Sequence, residues 1–188
     1  MKRTLIVIAL IAALIAPIWA QDSGTTPDGL EWAKMGNGII IDGYTGTATD
    51  IRIPDRINNL PVVEIWQDVF SMSMPNRILI TSVVIPNTVT KIGSGAFSRQ
   101  TNLTSVTLPS SLIEIGANAF RETAITSISL PASIRTIGAN AFNGCTALTT
   151  VSIPSSVTRI TFGNNVFAGA TNLNAVSVQA LTNRGYVF

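Results

Sequence analysis

The sequence predicts a β-rich solenoid, in which short repeats of nearly constant length stack along one elongated core. In four repeats a proline ends an apolar segment, and these prolines lie 23, 22 and 23 residues apart, at Pro86, Pro109, Pro131 and Pro154. Each proline is followed by a phenylalanine, at Phe97, Phe120, Phe142 and Phe167. A fixed period of this size indicates stacked repeats, because one repeat cannot bury its apolar face alone. A looser copy with Pro54 and Phe70 makes about five repeats of 22 to 23 residues, followed by a final fragment.

Before each proline lies a segment that alternates like a half-buried strand. In residues 103–108 the apolar side chains of Leu103, Val106 and Leu108 face inward, and the hydroxyl residues between them face outward. A full coil separates each such segment from the next, so neighbouring segments must pair in parallel. The pattern predicts strands at 80–85, 103–108, 125–130, 148–153 and 173–178.

After the proline, a second apolar set returns the chain along the opposite wall. In the repeat that ends at Phe120 this set includes Leu112, Ile115 and Ala119. A glycine follows the equivalent isoleucine at Gly93, Gly116 and Gly138, where we expect a backbone conformation closed to other residues. The residues just before these isoleucines are expected to form a column, in which residues of neighbouring coils lie about 5 Å apart, as paired strands do. Its members are Glu64, Lys91, Glu114, Thr136 and Arg159.

These repeats resemble the BspA-type leucine-rich repeats. The resemblance is clearest in Leu103-Thr-Ser-Val-Thr-Leu-Pro109 followed by Ile115-Gly-Ala-Asn-Ala-Phe120, and it covers about residues 46–178. It implies a right-handed leucine-rich-repeat solenoid with a parallel sheet on its concave face. It also implies an exported or surface protein that binds other proteins, host proteins among them.

The N-terminus has the layout of a secretory signal peptide. Lys2 and Arg3 precede an apolar run, and polar residues begin at Gln21, so we predict residues 1–20 as the signal with cleavage after Ala20. Ile18 is larger than the small residue preferred near a cleavage site, which leaves a retained anchor as the alternative. The prediction is therefore a secreted, periplasmic or cell-surface protein with no stable membrane span once the signal is removed.

The rest of the chain divides into four predicted parts. Residues 21–29 form a flexible lead-in, and residues 30–47 form an N-terminal capping hairpin around the turn Gly36-Asn37-Gly38. Residues 48–178 are the repeats, and residues 179–188 are a C-terminal tail. Because an open solenoid end exposes its core, this tail must shield the last coil or leave an exposed edge through which the chain self-associates.

Composition argues against an enzyme and against nucleic-acid binding. Without Lys2 and Arg3, ten basic residues balance ten acidic residues, so no strong positive charge remains to attract nucleic acid. The chain has no histidine and one cysteine, Cys145, which is expected to be a small buried filler, with a reactive thiol or an intermolecular disulfide as the alternatives. No cofactor and no metal is predicted, although a calcium site near Asp42, Asp50 and Asp55 is an open alternative.

The concave strand face is the candidate binding surface. Its outward residues are small and hydroxyl-bearing, and the predicted protein-binding set is Thr81, Ser82, Thr104, Ser105, Thr107, Thr126, Ser127, Ser129, Thr149, Thr150 and Ser152. The alternative is that these residues only keep an exposed sheet soluble. The sequence thus predicts a non-enzymatic, exported module for adhesion or surface interactions, with a host or cell-surface protein as its partner. A self-associating structural envelope protein is the alternative.

Overall fold

The computed structural model describes residues 22–72 and 78–188. The predicted signal peptide lies outside these residues. So does part of an insertion after Phe70: Ile80 follows Phe70 by ten positions, whereas the equivalent residue follows the phenylalanine by five or six positions in the other repeats. Within them the chain forms a solenoid of about five stacked turns, as predicted.

Each full turn of the solenoid contributes one strand to each of two walls. One wall, which we call the concave sheet, carries the hydroxyl residues and consists of β4 (Asp50–Arg52), β7 (Ser82–Val84), β9 (Ser105–Thr107), β11 (Ser127–Ser129) and β13 (Thr150–Ser152). Ladders join β4 to β7 to β9 and β11 to β13, all in parallel. Strands β7, β9, β11 and β13 lie within the longer strands predicted at 80–85, 103–108, 125–130 and 148–153, and no strand was predicted at β4.

The opposite wall is a second parallel sheet, although the sequence pattern indicates only an apolar returning segment there. Its strands are β6 (Leu60–Ile65), β8 (Lys91–Ile92), β10 (Glu114–Ile115), β12 (Thr136–Ile137) and β14 (Thr161–Phe162). A short strand, β5 (Arg56–Ile57), pairs with β6 in antiparallel orientation.

The opposite wall continues into the N-terminal hairpin. Strands β2 (Leu30–Met35) and β3 (Gly38–Tyr44) form this hairpin, with β1 (Ser23–Thr25) added to its edge. Strand β3 pairs in parallel with β6, so the hairpin extends the opposite wall beyond the first coil. Trp32 and Tyr44 are both buried there.

A ladder of stacked phenylalanine rings runs through the core. Successive ring centroids lie 5.2 to 5.4 Å apart, with interplanar angles of 2° to 9°, from Phe70 through Phe97, Phe120 and Phe142 to Phe167. This spacing is within the range at which offset aromatic pairs attract. A tyrosine closes the ladder at each end: Tyr44 lies 5.4 Å from Phe70, and Tyr186 packs edge-on 5.2 Å from Phe167.

The glycines after the inward isoleucines serve close packing, so the predicted special conformation is wrong. A Cβ added to Gly116 would lie 2.6 Å from the backbone nitrogen of Ser94 in the preceding coil, closer than real Cβ contacts allow. The left-handed conformation occurs two positions later instead, with φ between 56° and 66° at Asp68, Gly95, Asn118, Asn140 and Asn165. Aspartate and asparagine tolerate this conformation better than most other side chains.

The column predicted just before the inward isoleucines is observed only for its first four members. Strand register aligns Glu64, Lys91, Glu114 and Thr136, but the next position is Thr161 and not Arg159. Thr161 follows Pro154 by seven positions, whereas Thr136 follows Pro131 by five, so this repeat has two extra residues before Thr161 and Arg159 lies outside the column. The Lys91 Nζ lies 3.1 Å from a Glu64 carboxylate oxygen, and this hydrogen bond raises the pKa of Lys91.

In the repeats of Phe97, Phe120, Phe142 and Phe167, the position three residues after the phenylalanine lies at a buried turn. It is occupied by Cys145 in one repeat and by Thr123 in the repeat before, with the sulfur and hydroxyl oxygen 3.3 Å apart. The Cys145 thiol also donates to the Phe120 carbonyl, and burial raises its pKa. Such a thiol is a buried filler, as predicted, because a reactive thiol needs exposure and a lowered pKa.

In the repeat of Phe97 the equivalent position is Gln100, whose side chain bonds to the chain before and after the insertion. Its side-chain amide donates to the carbonyls of Phe70 and Ile78 and accepts from the Ile80 backbone N–H. The buried amide therefore anchors the chain on both sides of the insertion.

The C-terminal fragment forms a helix, so the strand predicted at residues 173–178 is wrong. Helix α1 (Ala175–Thr182) begins after Asn174, whose side chain accepts a hydrogen bond from the Ser177 N–H and so caps the helix. The Ser177 hydroxyl oxygen accepts from the Val151 N–H at 2.9 Å, which satisfies the free edge of β13. Asn174, Ala175 and Ser177 are therefore not outward positions of the concave sheet.

Helix α1 and the residues after it cover the last coil. Leu181 and Tyr186 are buried, and the Tyr186 hydroxyl oxygen accepts from the Phe167 backbone N–H at 3.0 Å. Of the two arrangements that the sequence left open, the structure shows a tail that shields the core. Among the described residues no helix is long and apolar enough to cross a membrane.

We expect Phe120→Ala to lower the free energy of unfolding by about 3–5 kcal/mol, because it empties a fully buried site between two stacked rings. Urea unfolding followed by circular dichroism would measure the loss. The matched control is Ile113→Ala in the same repeat, where the side chain is 47% exposed and the expected loss is below about 1 kcal/mol. Equal unfolding midpoints for the two variants would contradict the ladder as the main source of stability.

We expect Tyr186→Phe to cost about 1–3 kcal/mol, because it leaves the buried Phe167 N–H without its acceptor while keeping the ring contact. Thr182→Val, which removes a hydroxyl bonded at the exposed surface of α1, should change stability by about 0.5 kcal/mol or less. Thermal unfolding of both variants would test the C-terminal cap, and a harmless Tyr186→Phe would argue against it.

Candidate protein-binding face

The structure brings the predicted binding residues together on one face. Eight of them are exposed, whereas Thr81, Ser82 and Thr150 are half-buried. Their backbone positions follow from strand alternation, because the residue between the two outward positions of each strand points into the core. Val83, Ile128 and Val151 are these buried central residues in β7, β11 and β13.

One column of the face bonds neighbouring coils to each other. The Thr81 hydroxyl donates to Asp50 of the preceding coil and lies 3.2 Å from the Thr49 carbonyl, and the Thr149 hydroxyl donates to the Thr126 carbonyl at 3.0 Å. The Thr104 hydroxyl makes the equivalent, longer contact of 3.4 Å to Thr81. These threonines therefore contribute to coil stacking, a role that the sequence pattern did not reveal.

The remaining hydroxyls are hydrogen-bonded at the two edges of the face and unbonded at its centre. At one edge the Ser82 hydroxyl donates to Asp50, and at the other the Thr150 hydroxyl oxygen accepts from Asn174. Between them, the five exposed hydroxyls on β9, β11 and β13 have no hydrogen-bond partner among the described residues, and neither has the Thr126 hydroxyl just before β11. We call this set the hydroxyl patch, and its members are Ser105, Thr107, Ser127, Ser129 and Ser152.

Two charged residues flank the patch at its N-terminal edge, and the sequence pattern did not place either of them on the concave sheet. Asp50 and Arg52 lie on β4, in register with Ser82 and Val84. The signal was present, because Ile51-Arg-Ile-Pro54 repeats the pattern of Val106-Thr-Leu-Pro109. The concave sheet is thus not uncharged throughout: it has a hydroxyl centre and a charged first strand.

The Asp50 carboxylate is held by two hydroxyls. The same oxygen accepts from the Ser82 hydroxyl at 2.6 Å and from the Thr81 hydroxyl at 2.7 Å. These hydrogen bonds, that of Ser82 first, lower the pKa of Asp50 because they favour the charged form.

The alternative calcium site finds no support. Within residues 22–72 and 78–188, no three histidine, cysteine, aspartate or glutamate side chains lie close enough to hold a metal ion together. Asp42, Asp50 and Asp55 are each exposed, but they do not form such a group.

Comparison with known proteins identifies the family. The sequence model of the BspA type leucine rich repeat region matches residues 64–185 with six copies. The chain belongs to the BspA-type leucine-rich repeat family. The match confirms the resemblance found in the repeats, and it includes the C-terminal helix. A comparison with curated protein sequences returns no match.

Solved structures of bacterial leucine-rich repeat proteins share the fold. A leucine rich cell surface protein from Faecalibacterium prausnitzii aligns with a TM-score of 0.57 and 26% identity, over 81% of this chain and 53% of that one. A leucine-rich repeat protein from Bacteroides capillosus aligns with a TM-score of 0.60 and 24% identity, over 71% and 99% of the two chains. The pneumococcal vaccine antigen PcpA aligns with a TM-score of 0.61 and 19% identity, over 78% of this chain and 47% of that one.

The chain therefore spans about half the length of the Faecalibacterium prausnitzii protein and nearly all of the Bacteroides capillosus one.

We expect the pKa of Asp50 to rise towards its ordinary value of 3.8 in the variant Ser82→Ala, because that variant removes the strongest hydrogen bond to the carboxylate. Carboxyl titration by NMR would measure the change. A lowered folded-state pKa stabilises the fold above 3.8, and this contribution disappears as the pH falls through the folded-state value. Ser129→Ala, which removes an unbonded hydroxyl, is the control and should leave the Asp50 titration unchanged. An identical titration in Ser82→Ala and the unaltered protein would contradict the assignment.

Proposed function

We propose that this protein is a non-enzymatic, exported binding module that recognises another protein through the concave sheet. The hydroxyl patch is the observation that carries the proposal. Its five exposed hydroxyls have no partner among the described residues and stand on three adjacent strands of a rigid solenoid.

The physical properties of the patch suit protein recognition. Serine and threonine hydroxyls both donate and accept hydrogen bonds, so they can match exposed backbone groups of a partner. Short side chains on strands lose little conformational entropy when they are covered, which lowers the cost of association. The outward residues of the five strands contain no aromatic side chain, which disfavours a ligand that stacks, such as single-stranded nucleic acid.

The relatives support an exported location and a surface role. The Faecalibacterium prausnitzii structure is described as a cell surface protein, and the pneumococcal structure is a vaccine antigen. We extend this to the present chain: residues 1–20 act as an export signal, and the concave sheet meets a host or cell-surface protein outside the cell.

Self-association as a structural envelope protein has weaker support. That alternative depended on an exposed last coil, and α1 with Tyr186 covers this coil. Light scattering after size-exclusion chromatography separates the two functions, since a binding module stays monomeric and a self-assembling protein forms larger species as its concentration rises.

A charged double variant tests the patch directly. Ser105→Glu with Ser127→Glu places two carboxylates at the centre of the face without breaking a hydrogen bond between coils. We expect binding to immobilised, purified matrix and plasma proteins to weaken at least tenfold, about 1.4 kcal/mol, because hot spots cluster at interface centres and buried charges need partners.

The control carries the same charges outside the concave sheet. Ser94→Glu with Asn164→Glu alters two exposed residues, each of which follows a glycine just after an opposite-wall strand. This control should bind like the unaltered protein, and both double variants should keep their circular dichroism spectra. Failure of the unaltered protein to bind any protein tested, or full binding by a folded Ser105→Glu, Ser127→Glu variant, would overturn the proposal.

A further inference from the structure

We propose that a pocket between the N-terminal hairpin and the first coil binds a carboxylate attached to an apolar group. The pocket has a volume of about 500 Å³ and is lined by the loop that follows β1, by Trp32 of β2, by Arg52 of β4 and by the segment that includes β5. Cavities of small-molecule sites fall in the range of about 300–1,000 Å³. Its volume therefore suits one apolar side chain with its attached acid group.

The apolar part of the pocket is built on a fixed ring. Trp32 is almost fully buried, and Gly24 packs so closely on its indole that an added Cβ would lie 2.9 Å from the ring atom Cζ2. Pro27, Pro54 and Ile57 complete the apolar lining. A tryptophan held between two strands, with prolines of restricted φ beside it, provides a surface that needs little ordering when a ligand binds.

The charged part of the pocket has an excess of one positive charge. Its lining contains Arg52 and Arg56 against one acid, Asp28, which accepts a hydrogen bond from the Thr26 hydroxyl. The Arg56 guanidinium donates to the Asn59 carbonyl at 2.7 Å, and this bond restrains its side chain.

Arg52 is the group available to a ligand. In the described part of the chain it has no ion pair and no side-chain hydrogen bond, and it is exposed. A guanidinium group pairs with a carboxylate through two parallel hydrogen bonds, which provides direction as well as charge. An apolar wall beside an unpaired arginine therefore selects an acid with an apolar neighbour.

The C-terminal residue of a peptide has this chemistry, and so has a free organic acid. The position of Arg52 connects the pocket with the concave sheet, because Arg52 is in register with Val84 and, through it, with Thr107 of the hydroxyl patch. The pocket does not depend on the proposed function, since small probes can occupy it whether or not the sheet binds a protein.

The first experiment uses N-acetylphenylalanine as the probe and its carboxamide as the matched control compound. Titration into the protein labelled with nitrogen-15 should shift the Trp32 indole signal in a saturable way with the acid, and not with the amide, at millimolar concentrations. Equal responses to acid and amide, or no saturable shift with either, would overturn the proposal.

Two substitutions localise the acid group. Arg52→Gln should weaken binding of N-acetylphenylalanine at least tenfold. Arg159→Gln, a change at another exposed arginine that has no ion pair and no side-chain hydrogen bond in the described chain, should leave the binding unchanged. An unchanged affinity in folded Arg52→Gln would exclude this arginine and with it the proposal.

A final comparison identifies the source of the carboxylate. A pentapeptide that ends in phenylalanine with a free carboxylate should bind more tightly than N-acetylphenylalanine if the site recognises a protein C-terminus. Equal or weaker binding of the pentapeptide would identify a free organic acid as the ligand. Loss of the pentapeptide's binding on C-terminal amidation is expected in both cases, and its persistence would overturn the carboxylate site.

Discussion

The stacked phenylalanine ladder is the contact on which the rest of this structure depends. Each ring from Phe70 to Phe167 touches the ring of the next coil, so one residue per repeat sets the spacing of the whole chain. That spacing, 5.2 to 5.4 Å, is close to the distance between paired strands, and the two walls can therefore form parallel ladders on either side of the rings. In such an array each coil is stabilised by its immediate neighbours.

Repetition in the sequence made the core predictable, but the same pattern gave a wrong prediction at the C-terminal end. Strand positions and the phenylalanine column recur in several copies, so each copy supported the others. Residues 173–178 fit the strand pattern equally well, but Asn174 caps a helix and Ser177 satisfies the last strand from within that helix. Residue spacing alone also misplaced Arg159, because an insertion shifts the register by two residues and only strand pairing reveals where.

The candidate site shows what a pattern of exposure can and cannot predict. In β7, β9, β11 and β13, alternation along the strand identified which side chains lie on the concave face. It could not distinguish hydroxyls that bind a neighbouring coil, such as Thr149, from those without a partner in the described chain, such as Ser127, because that difference depends on atomic distances. Arg52 was missed because the first repeat diverges most from the others, and its pocket involves the hairpin as well as the repeat.

The two tyrosines close the ends of the ladder in a way that does not depend on the number of coils between them. Among the rings of the ladder, Tyr44 contacts only Phe70 and Tyr186 contacts only Phe167, so these contacts do not depend on how many rings lie between them. Interior coils present the same ring, the same glycine contact and the same strand edges to both sides. Whole coils are thus interchangeable units of length, and a chain of this design can be lengthened by duplication while both closing segments keep their contacts.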